Sequence, residues 1–147
     1  MAHLRKLLRD QITSTLTGLA TTGNNIYQSR VYPLASNKLP GILIFSKNEE
    51  VEYSTMGLPR LQARTVSFTL EIYVKGLSGY DNSLDQICLE IEEALYADIT
   101  LNGNAANLMI RDFSAEFSGD GDQPIALASM TIDVLYRVRE NNPDVAI

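Results

Sequence analysis

One cysteine and one histidine are all that this 147-residue chain contains, and each scarcity closes off a class of chemistry. A lone Cys allows neither an internal disulfide nor a site built from several thiolates. A lone His, third in the chain, removes most histidine-based metal and acid–base chemistry. Basic residues are also in the minority, with 12 Lys and Arg against 18 Asp and Glu and a net charge of −6. That balance argues against a broad phosphate-gripping face. It suits a soluble protein past which nucleic acid moves without sticking. Missing too is any apolar run of signal-peptide type or of the roughly 18 residues that span a bilayer. The expectation is a cytoplasmic protein without membrane contact and without catalysis.

What is present is enough apolar material for a core. Hydrophobic residues make up 45% and charged residues 20%, so one domain folds without disulfide staples. Leu4, Leu7, Leu8, Ile12, Leu16 and Leu19 recur at the spacing of an amphipathic helix, with Arg5, Lys6, Arg9 and Asp10 on its other side. Thr21 to Asn25 ends that helix with turn formers around Gly23.

Strands follow. Arg30–Leu34 contains Pro33 and reads as a short edge strand. Leu39–Phe45 is apolar on both faces, as in a strand buried between two layers. Ser46–Glu49 reads as a turn, and Glu50–Tyr53 returns with alternation. From Arg64 to Lys75 the alternation is clearest: Val66, Phe68, Leu70, Ile72 and Val74 line one face of a strand. A second helix is expected over Ser83–Tyr96, with Ser83 and Gln86 as a capping box. Leu84, Ile87, Cys88, Ile91 and Leu95 form its apolar stripe. The next strand, Leu108–Phe117, changes phase midway, which places a bulge near Arg111–Asp112. Gly119–Asp122 reads as a hairpin turn into a last strand, Ile125–Val138. The expected class is α+β: a mainly antiparallel sheet, two helices on one face and long projecting hairpins. Residues 1–139 read as one domain and 140–147 as a polar C-terminal tail.

Catalytic and ligand motifs fail one after another. His3 has no second His or Cys to share a metal and reads as a surface residue. Cys88 lies on the buried helical stripe without a basic neighbour and reads as a small core hydrophobe. Glu90, Glu92 and Glu93 fit a solvated helix face. Gly119–Asp122 lacks the alternating ligands and terminal glutamate of a calcium loop. Neither phosphate-binding glycine motif occurs. No cofactor or metal is expected. What a simple monomer leaves unexplained is Tyr53–Gln62, a connection with Met56, Leu58 and Leu61 in it. Either it contacts a partner or it folds back on its own core.

The order and spacing of these elements resemble the tail terminator family of long-tailed bacteriophages, the lambda minor tail protein U type. The resemblance lies in Leu39–Phe45 leading to Glu49–Tyr53, in Ser67–Val74 followed by the Ser83–Tyr96 helix, and in the closing Met130–Tyr136 strand. It implies a structural virion protein at the head-proximal end of the tail. Such a protein forms a homo-oligomeric ring, usually a hexamer, that stops growth of the tail tube and docks to a head completion or connector protein. DNA would pass through without sequence-specific binding. A head–tail connector, a tail tube subunit and a ligand-binding α+β domain unrelated to phages are the competing readings. On the terminator reading, Met56, Leu58, Arg60 and Leu61 are candidates for the subunit or tube interface, and Glu49, Glu50, Glu52 and Glu71 for acidic groups facing the lumen.

Overall fold

The computed structural model describes residues 2–28, 40–75, 79–118 and 125–147. In chain order the elements are α1 (Leu4–Leu16), β1 (Ile26–Gln28), β2 (Gly41–Tyr53), β3 (Leu61–Lys75), α2 (Tyr80–Tyr96), β4 (Asn107–Ser118), β5 (Ile125–Arg139) and β6 (Asn142–Ala146). The six strands form one sheet in the order β1-β2-β3-β5-β4, with β6 on the free part of β5. Among the described strands only β1, against β2, runs parallel. This is the α+β class expected from the sequence.

The centre of the sheet is the pair β3 and β5. They match residue for residue from Leu61 opposite Arg139 to Lys75 opposite Ile125, without a register shift. Strict alternation makes this possible, because each apolar residue of β3 meets one of β5 on the same face. Val66, Phe68, Leu70, Ile72 and Val74 thereby share a core with Ala126, Ala128, Met130, Ile132, Val134, Tyr136 and Val138. The two helices close that face. Leu4, Leu8, Ile12 and Leu16, four residues apart, supply the buried stripe of α1, and Leu84, Ile87, Cys88, Ile91 and Leu95 that of α2. Leu7 lies off the α1 stripe and is exposed.

Several expectations are corrected. Ser46–Glu49 is no turn: β2 runs through it against β3, and the register shifts once between Ser46 and Asn48. The polar side chains there mimic turn formers, but their backbone finds partners on β3 and stays extended. The expected bulge in β4 does occur, between Ile110 and Asp112. α2 starts a turn earlier than its capping box predicted, at Tyr80, with Gly79 as N-cap at φ 84°. A glycine reaches that left-handed conformation without steric cost. Gln86 instead donates to Glu90 at 3.0 Å. Residues 142–146, read as tail, form β6, which pairs with β5 beyond the point where β4 begins. An unpaired stretch of a central strand offers hydrogen-bond partners that outweigh the polarity of Asn142 and Asp144. β1, three residues at Ile26–Gln28, is a strand that no alternation in the sequence announces, and Arg30–Leu34 and the Gly119–Asp122 turn lie outside the described residues.

Phe68 has no exposure and sits at the middle of β3. Phe68→Ala should therefore cost about 3–5 kcal/mol, and Leu7→Ala less than about 0.5 kcal/mol, read from urea denaturation midpoints at constant slope.

Candidate functional site

The connection between β2 and β3 is pinned at its base and bare at its tip. At the base, the Ser54 amide donates to the Leu61 carbonyl at 2.7 Å and the Leu61 amide to Thr55 Oγ1 at 3.0 Å. Arg60 carries the stronger attachment. Its Nε donates to Glu140 Oε2 at 2.8 Å and its Nη2 to Glu140 Oε1 at 3.2 Å, while the Glu140 amide returns a bond to the Arg60 carbonyl at 2.9 Å. The same guanidinium lies 4.8 Å from the centre of the Tyr53 ring, a cation–π distance. Beyond this clamp Met56 is 89% exposed and Leu58 81%. The loop does not fold back on the core.

The four proposed interface residues thus divide by role. Met56 and Leu58 form the tip, Arg60 holds the base, and half-buried Leu61 begins β3 opposite Arg139. The four carboxylates divide as well. The bulge in β2 turns Glu49 to the helix-covered face, opposite Val66, and leaves Glu50 opposite Thr65 and Glu52 opposite Ala63 on the other. Glu71, opposite Leu43, shares that second face and accepts a 2.6 Å hydrogen bond from the Tyr73 hydroxyl. Burial first, then this bond, pushes the Tyr73 hydroxyl pKa well above its ordinary value.

Glu49 is the hub of a partly buried charge cluster. Its side chain is only 9% exposed and lies 2.7 Å from Arg5 Nη1 and 3.4 Å from Arg64 Nη1. The Tyr136 hydroxyl, from the core phase of β5, donates to it as well. Arg64 also lies 3.1 Å from His3 Nε2, and His3 Nδ1 accepts from the Arg5 amide. His3 is therefore the N-cap of α1 rather than a free surface histidine. Desolvation and the two neighbouring arginines lower its pKa. The cluster fastens the start of α1 to the far half of the β2–β3 hairpin, and so fixes the direction in which the tip projects. Sequence reading missed Arg5, Arg64, Tyr136 and Glu140 as participants. Tyr136 gave a signal, since a tyrosine in a core phase needs a partner for its hydroxyl.

The helix-free face carries a shallow depression lined by Phe45, Lys47, Thr69, Asp112, Phe113 and Thr131, among others. A second depression lies between α2 and β4, lined by Asp85, Cys88, Leu89, Glu92, Ile110, Phe113 and Met130. Burial, then the Glu92 and Asp85 charges, push the Cys88 thiol up to about 11. A thiol held neutral at pH 7 is a poor nucleophile. Among the described residues no group of three or more His, Cys, Asp or Glu is placed to hold a metal, and no helix is long and apolar enough to cross a membrane.

No family model and no curated protein matches this chain. Among solved structures it is similar to a chain described as "Virion of native gene transfer agent (GTA) particle", at 14% identity and a TM-score of 0.36, over 90% of this chain and 92% of that one. So loose a superposition bears no weight for what this chain does.

The Arg60–Glu140 clamp makes a pH-dependent prediction. Hydrogen bonding to Arg60 lowers the Glu140 pKa, so its stabilising effect is present above the unfolded glutamate value of about 4.3 and is lost as pH falls through the lower folded value. Glu140→Gln should thus differ from the parent in melting temperature near neutral pH and converge with it in acid. Alkylation of Cys88 by a maleimide at pH 7 should be slow in the native protein and fast in denaturant.

Proposed function

We propose that this chain is a structural virion protein that forms a ring on the end of a phage tail tube, stops tube polymerisation and offers its other side to the head. The observation that carries the reading is the tip of the β2–β3 connection. Met56 and Leu58 are held out in water by a base that is itself fixed by Arg60, Glu140 and the Glu49 cluster. Exposed apolar side chains on a pinned support are the form of a protein-contact surface. An active site instead gathers titratable groups in a cleft. The whole-chain resemblance of element order to tail terminators supports the reading.

On this reading the protein is not an enzyme and works with copies of itself, with the tube protein and with a head completion protein. Glu50, Glu52 and Glu71 share the helix-free face. Turned towards the lumen, they would repel phosphates and let DNA slide past. Glu49 has a different task, since its charge is spent on Arg5 and Arg64.

Deleting the gene from its phage should yield tails of uncontrolled length. Tails of normal length, joined to heads, would overturn the proposal. A tube subunit would instead be needed for any tail to form. Met56→Asp with Leu58→Asp should leave the melting temperature within a few degrees of the parent, because both positions face water, and should abolish length control in complementation.

A further inference from the structure

His3 is the one histidine of the chain, and both of its ring nitrogens face donors. Nδ1 lies 3.1 Å from the Arg5 amide and accepts the bond that caps α1. Nε2 lies 3.1 Å from Arg64 Nη1 on β3. An amide N–H and a guanidinium only donate, and a neutral imidazole has one acceptor nitrogen. One of the two contacts is therefore a donor set against a donor even in the neutral ring. In the imidazolium both nitrogens carry hydrogen, and neither contact is a hydrogen bond.

The charges around the ring act in the same direction. Arg5 of α1 and Arg64 of β3 oppose a proton on it, and Glu49 of β2 and, more weakly, Asp144 of β6 favour one. The Glu49 carboxylate is already shared between the two arginines and the Tyr136 hydroxyl of β5. Burial first, then that bond, holds the Tyr136 hydroxyl neutral by raising its pKa. An imidazolium would be a third cation in this cluster. Arg64 has no room to step aside. Its Nε and Nη2 donate to Gln62 Oε1 at 3.0 and 2.6 Å, its Nη1 reaches Glu49 at 3.4 Å, and its side chain is 13% exposed. The histidine ring is the part that yields.

We infer that His3 is an acid-released latch: on taking up a proton its ring leaves Arg5 and Arg64, and the first turn of α1 loses its cap and its hold on β3. The Arg5–Glu49 pair and the buried Leu4 and Leu8 keep the rest of the helix seated, so the opening is local. Desolvation first, then Arg5 and Arg64, set the folded pKa of His3 below its ordinary 6.5. The unfolded chain thus takes the proton first. The latch contributes its stability above the unfolded value and loses it as pH falls through the lower folded one. Glu140 responds only below about 4.3, so the two transitions are separable. The latch belongs to a single copy and is independent of the function proposed above.

The test is a nuclear magnetic resonance titration of the isotope-labelled full-length protein from about pH 8 to about pH 5, where a lone histidine gives one imidazole signal. The expected midpoint lies below 6.5, and the Arg5 amide signal should move with the same midpoint towards its random-coil position. The Ile12 amide, two turns further along α1, should stay in place. His3→Asn caps the same amide through a side-chain oxygen that does not titrate, and its Arg5 amide should hold still throughout. Arg64→Met removes one opposing donor and charge and should raise the His3 midpoint. An Arg5 amide that ignores the His3 transition, or one that moves equally in His3→Asn, would overturn the inference. So would joint movement of Arg5 and Ile12, which reports unfolding of the helix, or an unchanged midpoint in Arg64→Met.

Discussion

The unbroken ladder between β3 and β5 is the constraint on which the rest of the molecule depends. Both strands are 15 residues long and pair from end to end. A one-residue slip would turn Val66, Phe68, Leu70, Ile72 and Val74 away from the helices, so the alternation of side chains fixes the register. Everything outside the ladder is arranged around its irregular neighbours. β2 and β4 flank it, and each contains one bulge, at Lys47 and Arg111. The inner pair supplies rigidity, and the bulges re-aim side chains on the outer strands.

The bulge in β2 has the larger consequence. By shifting the phase it brings Glu49 under α1, where two arginines and a tyrosine hydroxyl surround it. Ion pairs of this kind contribute little net stability when compared with apolar replacements, but removing one partner leaves the others stranded. Their value here is geometric. The cluster ties the amino end of α1 to the hairpin, and the Arg60–Glu140 pair ties the loop base to the chain just before β6. Two attachments on either side of the hairpin hold its apolar tip away from the core.

Much of the fold was legible in the sequence because its signals are local. The stripe on α1, the alternation of β3 and β5 and the phase change in β4 are written in neighbouring residues, and the sheet follows them. What was not legible depended on distant partners. Ser46–Glu49 looks like a turn until β3 is beside it, and residues 142–146 look like a tail until β5 offers an open edge. Met56 and Leu58 could be picked out as unusual in a loop, yet only the structure decides between a buried loop and an exposed one. The Glu49 cluster joins residues 3, 5, 49, 64 and 136, a span no short motif covers.

On the proposed function, the working surface is the pinned β2–β3 projection and the working state is an assembly on the tail. Cryo-electron microscopy of the intact particle tests that most directly. One ring of this chain at the joint between tail tube and head, with residues 54–60 in protein contact, is the result the account predicts. Copies spread along the whole tube, or particles that lack the chain altogether, would contradict it.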